Sequence, residues 1–188
     1  MSQDFGPFSV DPAQVVGLGG ALFQNLVSRL LAAEVARAGM AGSDLHTSYQ
    51  DNIGDQGVDA GVYAAIKTEW IPAGDSAWQF KAGDLSPKEC ADELDGAARA
   101  REIIENGGKC RIVLGKGLED HLIIARENKL REKAAELGYD TSGDNFKVFT
   151  PYSKAWRAHG WDPPVGKPRS ITWATGIQSD RLPASPTR

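Results

Sequence analysis

Three residues, Asp59, Gln79 and Lys81, carry the chemistry most legible in this chain. In Trp78-Gln79-Phe80-Lys81-Ala82 the strand period of two puts Gln79 and Lys81 on one face, and Trp78 and Phe80 on the other, where they can anchor the strand in a core. A buried strand seldom presents a lysine without a reason. Asp59 opens the preceding Val-Asp-Ala-Gly-Val segment, and its carboxylate is expected on the same face as Gln79 and Lys81. A carboxylate, an amide oxygen and the carbonyl of Phe80 form an all-oxygen set suited to a hard cation such as Mg²⁺. Lys81 would add a positive charge beside it. The plain alternative is a polar hairpin with no role.

The elements that must hold these residues follow from periodicity. Leu22, Phe23, Leu26, Val27, Leu30, Leu31 and Val35 recur at helical spacing, and Gly39 ends a helix over 21–38. A polar, glycine-rich stretch leads to Val58 and the first strand. Pro72 and Gly74 mark a turn, so Ala-Ala-Ile-Lys-Thr-Glu-Trp and Ser-Ala-Trp-Gln-Phe-Lys-Ala read as antiparallel strands. One helix is expected from the Ser86 cap with Pro87 in its first turn as far as Asn106. Cys-Arg-Ile-Val-Leu-Gly is then a buried strand, 119–137 a charged helix closed by Gly138, Lys-Val-Phe-Thr-Pro-Tyr a short strand and Ser153–Trp161 a last helix. This order predicts an α/β fold, a mixed central sheet flanked by helices on both faces. The domain is expected over 21–161, between an N-terminal arm, 1–20, and a C-terminal extension or linker, 162–188.

Composition narrows the function classes. The chain has 188 residues, 41% of them hydrophobic, which is enough for a core. No apolar run approaches the roughly 20 residues of a membrane helix, and the first residues lack a signal-peptide pattern, so no membrane contact and a cytoplasmic location are expected. Cys90 and Cys110 are too few for a disulfide scaffold and read as buried small hydrophobes. Net charge is −4, so contact with nucleic acid must come from a local basic face or a bound cation.

The segment Gly54-Asp55-Gln56-Gly57-Val58-Asp59, followed by Gln79-Phe80-Lys81, resembles the PD-(D/E)XK nuclease superfamily, most closely its Mrr-like restriction endonuclease branch. The resemblance spans roughly residues 20 to 150 and implies a restriction-endonuclease-like core. It implies Asp59 as the metal-binding acid, Gln79 in place of the usual second acid, and Lys81 as the motif lysine. Some members carry an acid on the first helix. Glu34 is the candidate here because it continues the stripe of 23, 27, 30 and 31, and Gln24 is the alternative. Similar modules stand at the front of larger bacterial antiviral defence proteins.

The implied activity is Mg²⁺-dependent hydrolysis of DNA, with Mn²⁺ able to substitute, as the effector of an antiphage or restriction system. Double-stranded DNA is the expected partner, and the chain is expected to form a homo-oligomer or to be activated by further domains of a longer protein, a double-strand break needing a dimer or a larger assembly. The competing expectation is a catalytically weak module that binds nucleic acid or mediates assembly. Among other residues, Asp55 is expected to serve its glycine-rich turn, and Asp84 to orient Lys81 or open the next turn. His46, His121 and His159 lack ligand spacing, and the Ala-Arg-Glu-Asn-Lys-Leu-Arg-Glu-Lys series reads as a solvated helix face.

Overall fold

The apolar stripe after Gly19 forms helix α1, Gly20–Arg37, whose buried face carries Phe23, Val27, Leu31 and Val35, one residue per turn. Gly39, in the left-handed region at φ +71°, ends it. The computed structural model describes residues 15–48 and 57–150, which lie within a unit spanning Met1–Ala158. The last helix expected from Ser153, the arm as far as residue 14 and the whole C-terminal segment, 162–188, fall outside the described residues.

Five strands follow: β1 Leu45–Thr47, β2 Ala60–Ala65, β3 Gly74–Lys81, β4 Lys109–Leu114 and β5 Phe146–Phe149. They lie side by side in chain order. The first two pairings are antiparallel and the last two parallel, so the sheet is mixed. Parallel neighbours require crossovers. The chain passes from β3 to β4 through α2, Pro87–Gly96, and α3, Ala98–Glu105, and from β4 to β5 through α4, Asp120–Glu136.

Alternation along the strands divides the core. Trp78, Phe80 and Val113 join α1's Phe23, Val27 and Leu31 on one side of the sheet. Ile112, Leu114, Phe146 and Val148 pack with Leu94 of α2 and with Leu130 and Ala134 of α4 on the other. Helices therefore cover both faces. No helix among the described residues is long and apolar enough to cross a membrane.

Four local expectations need correction. The polar stretch before residue 57 contains β1, a three-residue strand too short to show alternation. The first hairpin strand ends at Ala65, and 66–73 form the connection, where Thr68 Oγ1 accepts from the N–H groups of Trp70 and Ile71. The helix expected from 86 to 106 is two helices, because Ala97, after Gly96, leaves helical geometry at φ −98°, ψ 69°. The basic series on α4 is not simply solvated: Arg126 is buried, and Arg131 donates to the carbonyls of Thr141, Gly143 and Phe146.

This packing predicts unequal costs along the charged helix. Leu130 is fully buried whereas Leu122 is 37% exposed. In urea denaturation Leu130→Ala is expected to lose about 2–5 kcal/mol and Leu122→Ala less than about 0.5–1 kcal/mol.

Candidate active site

Asp59 stands where β2 and β3 part. The ladder pairs Ala60 with Trp78, and just before it the Asp59 N–H donates to the Trp78 carbonyl at 2.9 Å while its own carbonyl accepts from the Ser48 N–H. Beyond that point a side chain takes over from the backbone. Asp59 Oδ2 accepts the Phe80 N–H at 2.6 Å, a charge-assisted bond of about 1.5–3 kcal/mol. Asp59 Oδ1 accepts from Gln24 Nε2 of α1 at 3.1 Å, and the same amide nitrogen donates to the Ser48 carbonyl at 2.7 Å. The acid is thus held between the first helix and the peptide that links Gln79 to Phe80.

Gln79 faces the α2 side of the sheet and is only 4% exposed. Its Nε2 donates to the Gly57 carbonyl at 2.7 Å, which fixes the amide orientation and turns Oε1 the other way. That oxygen is buried without a hydrogen-bond partner among the described residues. Gly57 has two reasons to be glycine: its φ is +81°, and a Cβ there would come 2.5 Å from the Ala97 Cα at the break between α2 and α3. Beside these residues lies a cavity of about 360 Å³ lined by Gly57, Gln79, Leu85, Glu89, Asp92 and Glu93 together with Gly96.

Lys81, two residues along the same face, is one-third exposed, and its Nζ lies 2.8 Å from Glu93 Oε2 of α2. Asp84 does not serve Lys81 in this arrangement. Its carboxylate takes Arg126 Nη2 through both oxygens, at 2.9 and 3.0 Å, and so ties the loop after β3 to α4. Glu34 pairs with Arg37 at 2.7 Å, one turn further along α1. It lies ten residues beyond Gln24, about 15 Å along the helix axis at the usual rise. The first-helix residue that touches Asp59 is therefore Gln24, and the signal for it was a polar side chain on a buried face, repeated by Ser28 one turn on. Asp55 and His159 lie outside the described residues.

Other nucleophiles offer little. Burial pushes the thiols of Cys90 and Cys110 up to about 11 and about 12. Both stay protonated near neutrality. His46 packs edge-on against Tyr63, with ring centroids 5.3 Å apart.

The donors fit a hard divalent cation in kind. Asp59 supplies a carboxylate and Gln79 a buried amide oxygen. The Phe80 carbonyl faces the same strand edge as its N–H, as the two do in any extended residue. An all-oxygen set of this sort suits Mg²⁺ rather than a softer metal. No three His, Cys, Asp or Glu side chains converge as a metal cluster among the described residues. Any such ion would depend on amide and carbonyl oxygens as well as carboxylates.

No family model and no solved structure matches the chain. Among curated proteins it is similar to a deoxyribodipyrimidine photo-lyase of Streptomyces griseus, 26% identical over 152 residues, covering 71% of this chain and 32% of that protein. The chain thus spans about a third of the length of the relative it matches.

Two outcomes are expected from this geometry. Gly57→Ala lowers stability by more than about 1 kcal/mol in chemical denaturation, since both the backbone angle and the approach to Ala97 oppose a Cβ. At pH 8 a disulfide reagent labels Cys90 and Cys110 only as the protein unfolds. Because folding raises both thiol pKa values, the thiols weaken the folded state as pH climbs from the unfolded value toward about 11.

Proposed function

We propose that the chain is a metal-dependent endonuclease that hydrolyses phosphodiester bonds of DNA, the effector module of an antiphage defence or restriction system. The observation that carries this reading is the Asp59 carboxylate seated 2.6 Å from the Phe80 N–H, at the peptide after a Gln79 whose buried Oε1 has no hydrogen-bond partner among the described residues. The resemblance to Mrr-like nucleases supports the same three residues. The photo-lyase relative acts, by its name, on deoxyribodipyrimidines, which agrees with a DNA substrate. Its match covers too little of that protein to bring its reaction here.

In this reading Asp59, Gln79 Oε1 and the Phe80 carbonyl hold Mg²⁺. When bound, the ion supplies a Lewis acid that polarises the scissile phosphate and lowers the pKa of a coordinated water. The chain's own part is positioning and charge. Gln24 and the Phe80 N–H fix both oxygens of Asp59, so the acid needs no reorganisation when substrate arrives. Gly57 fixes the Gln79 amide. The Lys81 ammonium orients the attacking water and offsets charge on the phosphoryl oxygens. Water oxygen bonds to phosphorus as the P–O3′ bond breaks, leaving a 5′-phosphate and a 3′-hydroxyl. One such site cuts one strand, so a double-strand break requires two copies acting together.

A second reading, a nuclease-like module that binds DNA without cutting it, is favoured by two details. Gln79 contributes no negative charge, and the Lys81 ammonium is already neutralised by Glu93. Plasmid incubated with purified protein and millimolar Mg²⁺ separates the two. The parent is expected to nick, Lys81→Ala to be slower by about 10²–10³-fold, and Asp59→Ala to lose cleavage. Retained, salt-sensitive DNA binding without cleavage under any divalent ion would instead select the second reading.

A further inference from the structure

We infer that Glu93, on α2, is a ligand of the divalent ion in the proposed site and supplies the negative charge that Gln79 lacks. The inference rests on the nuclease reading and deepens it. Glu93 and Gln79 line the same cavity, and Gln79 Oε1 is buried with no hydrogen-bond partner among the described residues. An isolated buried acceptor is costly, and a cation or a donor offsets the cost. Gln79 Nε2 is committed to the Gly57 carbonyl, so the amide cannot turn Oε1 toward another donor without losing that bond.

Three carboxylates from α2 border the cavity, and they differ in what they already do. Glu89 closes the helix cap, accepting the Ser86 N–H at 2.7 Å, and the hydrogen bonds from Ser86 hold its carboxyl below the usual range. Asp92 pairs with Lys88 one turn away, and its side chain is 48% exposed. Glu93 alone reaches the strand: Oε2 meets Lys81 Nζ at 2.8 Å, and its side chain is 23% exposed. Lys81 stands two residues from Gln79 on the same face, so a lysine of the site itself holds this carboxylate on the cavity that Gln79 also lines. Asp59, Gln79 and the Phe80 carbonyl provide a single negative charge, and a second carboxylate strengthens a hard-cation site of this kind. Glu34, bound to Arg37 and three turns along α1 from the residue that touches Asp59, is not placed to provide it.

Lys81 and the ion then compete for Glu93, and this distinguishes a ligand from a residue that merely aims the lysine. Mn²⁺ is titrated by calorimetry into the full chain and its variants without DNA. Glu93→Gln is expected to weaken binding at least about tenfold, the smallest loss typical even of a residue that only supports a ligand. Lys81→Met, which frees the carboxylate, is expected to tighten it. Asp92→Asn and Glu34→Gln leave it unchanged. If Asp59→Asn weakens Mn²⁺ binding while Glu93→Gln binds as the parent does, Glu93 is no ligand although the site stands. If Lys81→Met binds more weakly than the parent, competition for Glu93 is likewise excluded. If the parent binds no Mn²⁺, the inference falls together with the metal-dependent reading beneath it.

Discussion

The arrangement depends on one hydrogen bond, from the Phe80 N–H to the Asp59 carboxylate. At the start of β2 the backbone ladder stops, and a central strand would be left with an N–H facing no partner. A buried amide in that state costs about 1–3 kcal/mol. A carboxylate fills the position and makes a stronger bond than the carbonyl it replaces, while its second oxygen is left to Gln24. A negative charge is thereby brought against the backbone of β3. Strand termination and site construction are a single event.

Around that bond the two faces of β3 have separate duties. Trp78 and Phe80 are buried against α1, and Trp78 stacks on Phe149 with ring centroids 6.0 Å apart. Gln79 and Lys81 turn toward α2, where the glycine before Val58 comes into close approach with Ala97. The α2–α3 break and Gly57 are two sides of one contact. The ion pair of Asp84 with Arg126 then braces the end of β3 against α4, and Lys116 lies 3.7 Å from the same carboxylate.

Much of this frame is legible in the sequence because it is periodic. The stripe of α1, the alternation of β3, the apolar run of β4 and the Ser86–Glu89 cap each depend on near neighbours. β1 is not legible, since Leu45-His46-Thr47 is too short to hold a period. The partners of the site residues are also hidden. Gln24 reaches an acid 35 positions away, and Glu93 meets Lys81 only because a crossover helix returns across the sheet. Arg126 looked solvated because its neighbours are charged. Yet it shares with Leu130 and Ala134 a spacing of four, and all three are buried. Periodicity assigns faces, whereas long-range pairing decides which side chains on those faces meet.

The clamp on Asp59 also makes the acid depend on the docking of α1. The hairpin of β2 and β3 joins near neighbours in the chain, whereas Gln24 lies 35 positions from Asp59 and reaches it only with α1 packed on Trp78 and Phe80. With α1 undocked, the carboxylate lacks the Gln24 tether. A chain opened at α1 therefore keeps the residues of β2 and β3 while losing a bond that aims the acid.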